Sequence, residues 1–444
     1  MSALRKVEAI EVKDAAHARG AAGAALTAHA GAQAARVEPE AEAARLPVVF
    51  VVTQSGSRAN GGVESITQVL ENLRGVRALV VTQAETRFNR RWREAGARVL
   101  VWPMPSLGLV SLLKNNLRTF RLLRSEGCRV VHCNDIYALW QTAFGARAAG
   151  ARVVFNVRNV KPAGKAYGWR WRLARRLSAR QLVLSKEMGE SLARRLGVKD
   201  SGAVTEESRA GVGESGAGVE QSNAARIEFI YSVVDTRRFR PAGASERAAL
   251  RERLGVGADC FAVGVVAAFD PRKAQLDFVE RAAPLLKRLA PRARVYFVGD
   301  FEPARDEYAR RCADATQRAG LGDAVSFVGY TEDVAGWYRA LDVVVVASRN
   351  EGLARCMIES LACGTPVVSF DVCSAREILE GRGCGVVVRS GDYEALAGAL
   401  ASLASDGEGR ARFGACGVAA ARELFDPQQV AQKYERLYLS LAGG

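Results

Sequence analysis

Two glutamates eight residues apart, Glu351 and Glu359, have the types and spacing that most directly suggest chemistry. A buried-strand pattern ends at Ala347, a glycine-containing loop carries Glu351, and a helix is expected to begin near Ala354. Unpaired N–H groups at a helix start, reinforced by the helix dipole, favour a phosphate or diphosphate. Glu359 would then accept hydroxyls of a ribose and Glu351 those of a sugar beyond the diphosphate. The alternative is two ordinary carboxylates near a helix start, where acidic residues are common.

Metal and disulfide chemistry are disfavoured by the composition. The chain has three histidines and nine cysteines, and no Cys-x-x-Cys pair occurs. Structural zinc sites and disulfide frameworks depend on paired cysteines or histidines at short spacing. We therefore expect neither a metal centre nor a disulfide scaffold.

The two glutamates must be positioned by the surrounding fold, and the sequence shows short apolar runs that alternate with helical stretches. Such runs are typical of parallel strands buried on both faces. The expected strands of the first series are 47–52, 78–82, 99–102, 130–132, 153–157 and 181–184, and those of the second are 262–267, 294–298, 325–328, 343–347, 366–370 and 385–388. The pattern predicts an α/β fold with two doubly wound, Rossmann-like domains that face each other across a cleft.

The composition also predicts the domain boundaries. We expect a disordered Ala-rich tail over 1–46, an N-terminal domain over 47–235, a flexible insertion over 199–226, a C-terminal domain over 236–420 and a terminal helix over 421–444. The insertion contains Gly211-x-Gly213-x-x-Gly216, which matches a dinucleotide-binding fingerprint. That motif needs a preceding strand and a following helix, and the sequence predicts neither.

The net charge of +15 is concentrated in one part of the chain. Residues 47–198 carry 26 Lys/Arg and 8 Asp/Glu, whereas residues 199–444 carry 31 and 34. An arginine-rich composition explains the excess of arginine over lysine, but it does not explain this uneven distribution. We therefore expect the N-terminal domain to face an anionic partner.

The segment Trp169-Arg170-Trp171-Arg172 suggests what that partner is. Tryptophans beside an arginine-rich helix suit an anionic bilayer surface, and the arginines at 118, 121 and 124 form a second basic face. The alternative is a solvated helix with its tryptophans in the core. No apolar run reaches the ~18 residues needed to cross a bilayer. We expect a cytoplasmic protein, peripheral at the cytoplasmic face of the membrane.

The segment that contains the two glutamates is similar to the signature of the retaining glycosyltransferases of family 4, which have the GT-B fold. Glu351 and Glu359 match the family's Glu-x7-Glu pair, and Ala362–Val368 match its Ala-Cys-Gly-x-Pro-Val-Val stretch. Four other stretches also resemble the family: Gly61–Glu64, Ile230–Phe239, Phe327–Tyr330 and Phe425–Leu441. The last of these is similar to the family's terminal helix, so the resemblance implies that residues 421–444 cross back to the first domain. The resemblance covers about residues 47–444 without the insertion.

The resemblance implies a nucleoside-diphosphate sugar on the C-terminal domain and an acceptor on the N-terminal one. Glu351 and Lys273 are the implied catalytic residues, because Lys273 falls on the family's phosphate-binding lysine and its charge would stabilise the leaving diphosphate. The implied donor-binding residues are Glu359, Gly61, Gly62, Arg272, Gly352, Leu353, Ala354, Gly329 and Tyr330. We expect no metal and no cofactor besides the donor substrate.

Some positions depart from the family pattern. Ala268 stands where the family usually has an arginine five residues before the lysine, and Arg272 is the expected substitute. Arg158 replaces a histidine that contacts the donor sugar, and Asn134 replaces the second histidine after the fourth strand. His132 and Arg158 are therefore assigned to sugar or acceptor contacts, although a lone strand-end histidine is more often simply buried.

The leading hypothesis is a retaining glycosyltransferase that moves a sugar from a nucleoside diphosphate to a hydroxyl acceptor, a lipid-linked or surface glycan. The alternative is a catalytically inactive, nucleotide-sugar-binding GT-B relative, which Ala268 and Arg158 would favour. Nucleic-acid binding is supported by charge alone, and the sequence contains no recognisable nucleic-acid module. A GT-B epimerase would share the architecture but not the Glu-x7-Glu segment.

Overall fold

Two parallel β-sheets organise the chain. The computed structural model describes residues 45–54, 61–105, 107–158, 168–196, 226–372 and 374–443. Residues 1–44 of the expected tail, most of the expected insertion and the glycines at 211, 213 and 216 lie outside these ranges. None of the described helices combines the length and the apolar character needed to cross a bilayer.

The first sheet has seven strands in the order β3-β2-β1-β4-β5-β6-β7, all parallel. Its strands are β1 (Leu46–Val52), β2 (Val76–Thr82), β3 (Arg98–Val101), β4 (Val130–Cys133), β5 (Arg152–Asn156), β6 (Arg180–Val183) and β7 (Ile227–Phe229). Its helices are α1 (Gly61–Asn72), α2 (Arg87–Glu94), α3 (Leu109–Glu126), α4 (Ile136–Ala148), α5 (Trp169–Leu177) and α6 (Lys186–Arg195). The central strands are valine-rich and buried on both faces, as expected for a sheet covered by helices.

The second sheet has six parallel strands in the order β10-β9-β8-β11-β12-β13. Its strands are β8 (Phe261–Val266), β9 (Ala293–Val298), β10 (Val325–Gly329), β11 (Val343–Val346), β12 (Val367–Phe370) and β13 (Gly385–Val388). Its helices are α7 (Ala244–Leu254), α8 (Gln275–Asp277), α9 (Ala283–Leu289), α10 (Glu307–Arg318), α11 (Val334–Ala340), α12 (Arg355–Ala362), α13 (Tyr393–Ser405) and α14 (Gly407–Leu424). A 3₁₀ turn, Pro271–Lys273, precedes α8, and π-helical turns occur at Phe278–Ala282 and Arg376–Glu380.

The last helix, α15 (Pro427–Ala442), packs against the first sheet and not the second. Tyr438 and Tyr434 of α15 join a core with Phe50 of β1 and Trp92 of α2. The Glu435 carboxylate accepts the backbone N–H of Gly75 at 2.7 Å. The chain therefore returns to the first sheet after it has completed the second.

The fold class predicted from the sequence is confirmed, since both sheets are parallel and doubly wound. Strand β7 was not predicted, because three residues with two buried side chains carry too little pattern for a sequence-based assignment. In each sheet the strand order reverses once, between β1 and β4 and between β8 and β11. Ligands of open parallel sheets bind at such reversals, outside the carboxyl ends of the strands.

Candidate active site

The carboxyl ends of β8 and β11 bring Lys273 and Glu351 together. Lys273 ends the 3₁₀ turn after β8, and Glu351 lies in the loop between β11 and α12. The Lys273 Nζ atom donates a hydrogen bond to Glu351 Oε1, and the side chains are 26% and 14% exposed. Burial lowers the pKa of Lys273, but the Glu351 carboxylate outweighs burial, so that this pKa lies above its usual value. The reversal point of the second sheet therefore holds a fixed ammonium group beside a carboxylate.

The start of α12 lies next to this pair. Gly352, Leu353 and Ala354 are buried, and Ala354 is the N-cap residue without a side-chain capping hydrogen bond. The first N–H groups of a helix have no partner within the helix, so an anion can satisfy them here. The Ser374 hydroxyl donates to the Gly352 carbonyl at 2.8 Å and so holds the loop in place.

Glu359, on α12, is fixed by two neighbours. The Tyr338 hydroxyl donates to Glu359 Oε2 at 3.0 Å, and Arg355 Nε donates to Oε1 at 3.0 Å. The Arg355 Nη2 atom lies 2.9 Å from the same oxygen but forms no aligned hydrogen bond. Glu359 is therefore an oriented carboxylate, and Arg355 brings a buried N–H group with unused hydrogen-bonding capacity to the same place.

The two glycines at the start of α1 lie against two arginines. A Cβ atom added to Gly61 would come within 2.7 Å of Arg355 Cδ, and one added to Gly62 within 2.4 Å of Arg158 Nη1. Arg158 follows β5, and its Nη2 atom donates to the Gly62 carbonyl at 2.7 Å. Residues without side chains are needed here because the arginines occupy the space that a side chain would fill.

Arg158 also binds Asn134, which follows β4. Its Nε atom donates to the Asn134 carbonyl at 2.9 Å, and its Nη2 atom to the Asn134 side-chain oxygen. The pKa of Arg158 lies below its usual value, chiefly because the side chain is buried; the nearby Tyr434 and Asp135 oppose this shift, and the charge of Arg355 adds to it. Arg158 thus links the carboxyl end of β5 to the start of α1 and to the end of β4.

His132 lies in the core of the first sheet and not at the cleft. It has 0% of its surface exposed, its ring stacks on Phe50, and its Nδ1 atom shares a hydrogen bond of 2.9 Å with the Tyr438 hydroxyl. Burial, and secondly the charge of Arg158, lower the pKa of His132 to about 3, so the ring is neutral. The assignment of His132 to a sugar or acceptor contact does not fit this position, because α15 covers the ring.

Gly329 and Tyr330 follow the end of β10. Gly329 has a φ of 82°, a left-handed conformation that suits glycine, and the strand register shifts just before it. Tyr330 is 59% exposed. Phe301 follows β9, Phe327 lies in β10, and their rings stack with centroids 4.3 Å apart. An aromatic surface therefore lies at the carboxyl ends of these two strands.

Arg272 is directed to a different partner. Its Nε and Nη2 atoms donate to the Asp270 carboxylate at 3.0 and 2.8 Å, and its side chain is largely exposed. No hydrogen bond among the described residues joins its guanidinium to Lys273 or Glu351. Ala268, where the family usually has an arginine, is exposed. The structure therefore does not bring Arg272 into the group formed by Lys273, Glu351 and Glu359.

Sequence reasoning missed two residues of this site, Arg355 and Tyr338, and noted Asn134 only as a departure from the family pattern. Arg355 lies inside the Glu-x7-Glu segment, and its position four residues before Glu359 on a helix was a usable signal. Tyr338 is 21 residues away from Glu359, and Asn134 is 24 residues away from Arg158, so spacing gave no indication of these contacts.

The charges around the cleft favour an anionic ligand. Lys273 is paired with Glu351, and Arg355 with Glu359. Among the described residues no carboxylate forms an ion pair with Arg158, whose hydrogen bonds go to Gly62 and Asn134. Glu64 of α1 is engaged elsewhere, because Arg91 Nη1 donates to both of its carboxylate oxygens at 2.9 Å.

Two facing, doubly wound domains with a charged cleft at their strand reversals define the GT-B class of glycosyltransferase architecture. The family model described as "Glycosyl transferases group 1" matches residues 260–406, and the model described as "Glycosyl transferase 4-like domain" matches residues 60–205. The chain belongs to the group 1 glycosyltransferases of the family 4 type, as the sequence motifs predicted.

Two curated relatives illustrate the sequence similarity. The D-inositol 3-phosphate glycosyltransferase of Saccharomonospora viridis is 34% identical over 183 residues, which are 40% of this chain and 42% of that protein. The lipopolysaccharide core biosynthesis mannosyltransferase LpsB of Rhizobium meliloti is 28% identical over 47% of this chain and 59% of that protein. The chain thus matches about half of the length of these relatives.

Solved structures show the same fold over a larger part of the chain. HepE from Anabaena, in complex with UDP, has a TM-score of 0.72 at 22% identity and covers 89% of this chain and 100% of its own. A glycosyltransferase from Rickettsia africae has a TM-score of 0.74 at 15% identity, with coverages of 89% and 98%. At these identities the similarity shows the fold.

Proposed function

We propose that this chain is a retaining glycosyltransferase that moves a sugar from a nucleoside diphosphate to a hydroxyl group of an acceptor. The observation that carries the proposal is the Lys273–Glu351 ion pair beside the uncapped start of α12. A diphosphate leaving group needs fixed positive charge where its own charge develops, and a sugar needs acceptors for its hydroxyl hydrogens. Both kinds of group meet at the strand reversal of the second sheet.

In this proposal each residue has a separate task. Lys273 and the N–H groups at the start of α12 bind the diphosphate, Glu351 accepts hydroxyls of the donor sugar, and Glu359 accepts the ribose hydroxyls. The bond between the anomeric carbon and the diphosphate oxygen breaks, and the acceptor oxygen bonds to that carbon from the same face. The proton of the acceptor hydroxyl passes to the diphosphate oxygen, so the reaction needs no protein nucleophile and no metal ion.

The names of similar proteins suggest where to begin with substrates. HepE from Anabaena is described in complex with UDP and with UDP-glucose, which places UDP-sugars first in a donor panel. The relatives named after inositol 3-phosphate and lipopolysaccharide core favour hydroxyl acceptors that carry negative charge. The positive N-terminal domain suits such an acceptor electrostatically.

The test is the substitution Glu351→Gln, with Glu394→Gln, an exposed glutamate of α13, as the matched control. Donor consumption with and without acceptor is followed, and nucleotide affinity is measured by calorimetry. We expect Glu351→Gln to lower transfer by about 100-fold or more, in line with the loss of one preorganised polar contact at a reacting centre. Nucleotide affinity should change little, and the control should behave like the wild type. Undiminished transfer in Glu351→Gln would remove the assigned role.

The alternative of an inactive relative rested on Ala268 and Arg158. Arg158 is engaged with Gly62 and Asn134, and neither residue interrupts the Lys273–Glu351 pair. This arrangement favours an active enzyme. Slow hydrolysis of a bound sugar nucleotide without acceptor would support activity, and binding without any turnover across the donor panel would favour the inactive alternative.

We further propose that the N-terminal domain docks on an anionic lipid bilayer through α3. Four apolar residues that share one side of α3 are 49–80% exposed: Leu109, Val110, Leu113 and Leu117. The buried residues of α3 are Asn115, Thr119 and Leu123, and Asn115 donates to Gln141 at 2.9 Å. The first half of this helix therefore exposes apolar side chains and buries a polar one, which is the reverse of an ordinary surface helix.

Neighbouring residues make this surface suitable for a bilayer. Trp169 at the start of α5 is 68% exposed, and the Arg170 guanidinium lies 5.6 Å from the centre of its ring. A cavity of about 380 Å³ is lined by Leu107, Ile136, Tyr137, Trp140, Gly168, Trp169, Arg170 and Trp171. Apolar side chains flanked by arginines match the boundary between acyl chains and anionic headgroups.

Vesicle binding tests this proposal. The double variant Leu109→Asn/Leu113→Asn is compared with Leu289→Asn/Leu439→Asn, which replaces two leucines that are 52% and 57% exposed elsewhere. We expect the first variant to lose most of its binding to phosphatidylglycerol vesicles, and the second to bind like the wild type. Equal binding by both variants, or equal binding to phosphatidylcholine vesicles, would contradict the docking surface.

A further inference from the structure

A second charged cavity lies at the amino ends of strands of the first sheet, away from the carboxyl ends that face the candidate active site. Its volume is about 240 Å³, and five arginines line it together with Ser178, Ala179, Ser440 and Leu441. The arginines come from α4, β5, α5, β6 and the residue before β7: Arg147, Arg152, Arg176, Arg180 and Arg226. We call this cavity the arginine pocket.

The positive charge of the arginine pocket has little compensation. Within the described ranges, the one carboxylate in ion-pair distance of its arginines is Glu228, which lies 3.8 Å from Arg180. Burial, and secondly the charge of Arg226, lower the pKa of the adjacent Arg175. Five guanidinium groups around one cavity repel each other, and an anion bound in the cavity would offset this repulsion.

The backbone fixes three of these arginines at one place. Arg152 and Arg180 are the first residues of β5 and β6, and Arg226 directly precedes β7. These strands are neighbours in the sheet, and adjacent parallel strands lie about 4.8 Å apart. Their guanidinium groups can therefore approach one tetrahedral anion from several sides, and the planar fork of arginine suits phosphate oxygens.

The arginine pocket is separate from the candidate active site. Arg152 begins β5, whereas Arg158, which contacts Gly62, follows the far end of the same strand. Five residues of extended strand span about 16 Å. A ligand in the arginine pocket would also contact α15 through Ser440 and so join the last helix to the sheet.

We propose that the arginine pocket binds a phosphate or diphosphate group at a site distinct from the nucleotide cleft. The high positive charge favours a multiply charged phosphate over a single carboxylate. The group belongs either to a free phosphorylated molecule or to a lipid headgroup, and the two sources share the same recognition chemistry. The proposal does not depend on the transferase activity proposed above.

The test is calorimetric titration with inorganic pyrophosphate at constant ionic strength. All samples carry Lys273→Ala, which weakens binding of pyrophosphate at the proposed donor site. The pocket variant Arg152→Gln/Arg226→Gln is compared with Arg288→Gln/Arg292→Gln, which removes the same charge from two exposed arginines of the second domain. We expect at least about tenfold weaker binding in the pocket variant and unchanged binding in the control, as the loss of charge-assisted contacts implies.

Two further measurements make the outcome decisive. The variant Arg152→Lys/Arg226→Lys keeps the charge and the fold but loses the forked donors, so its affinity should be intermediate. The same variants are also pelleted with phosphatidic acid vesicles. If the pocket variant alone loses vesicle binding and no variant responds to free pyrophosphate, the site is assigned to a lipid headgroup. The proposal would be overturned if binding weakened equally in the pocket and control variants. It would also be overturned if neither pyrophosphate binding nor vesicle binding depended on the pocket arginines.

Discussion

Replacing Gly62 with alanine should destabilise the N-terminal domain because of Arg158. The new Cβ atom would lie 2.4 Å from Nη1 and 2.5 Å from Cζ of Arg158, distances that no carbon atom tolerates. Arg158 must then move, and it would lose its hydrogen bonds to the carbonyls of Gly62 and Asn134, at 2.7 and 2.9 Å.

The magnitude follows from these contacts. A hydrogen bond to a charged group contributes about 1.5–3 kcal/mol, so the loss or weakening of two, offset by the better helix propensity of alanine, should cost about 2–4 kcal/mol. For a domain of this size the melting temperature should fall by about 5–15 °C. Urea unfolding and thermal unfolding measure both quantities.

The control and a double-mutant cycle identify the cause. Gly398→Ala in α13 has no neighbour within 4 Å of the new Cβ atom, and it should stabilise the protein by about 0.5–1 kcal/mol. In an Arg158→Ala background, Gly62→Ala should cost little, which gives a coupling energy of about 2–4 kcal/mol. An undiminished cost in that background, or a fully stable Gly62→Ala variant, would refute the reasoning.

Three further predictions concern buried polar groups and packing. Burial raises the pKa of Glu187 and outweighs the backbone hydrogen bond from Ser374, so the folded state loses stability as the pH rises above the usual glutamate pKa. Glu187→Gln should therefore raise the melting temperature at pH 7 but not at pH 4, and an equal shift at both pH values would contradict this. Tyr338→Phe removes the buried donor to Glu359 and should cost about 1.5–3 kcal/mol in urea unfolding, whereas an unchanged midpoint would show that the bond contributes little. Gly145→Ala would place a Cβ atom 1.9 Å from the backbone oxygen of Asn116, so α3 and α4 must separate. We expect the free energy of unfolding to fall by more than about 3 kcal/mol in thermal unfolding, and unchanged stability would show that the two helices can shift apart.

Much of the fold could be read from the sequence because its signals are local. Val343–Val346 and Val48–Val52 are continuous apolar runs, and such runs predict strands covered on both sides. The motif around Glu351 and Glu359 is contiguous, so its loop and helix were predicted close to their observed positions. Strand β7 was missed because three residues carry no period.

Contacts between distant parts of the chain could not be predicted in this way. Nothing in the spacing indicates that α15 covers His132, which is 306 residues away from Tyr438. The assignment of His132 to a sugar contact failed for this reason. The outward apolar side of α3 likewise becomes visible only once the polar partners of Asn115 on α4 are known.

The sequence alone determined the parallel α/β architecture, the Glu-x7-Glu segment and the concentration of positive charge in the N-terminal half, since each depends on neighbouring residues or on composition. The tertiary structure decided which charges meet: Lys273 with Glu351, Arg158 with Gly62, and five arginines around one cavity. The physical reason is that strand order and the return of α15 set distances between residues far apart in the chain. Electrostatic and hydrogen-bond energies depend on those distances and not on sequence separation.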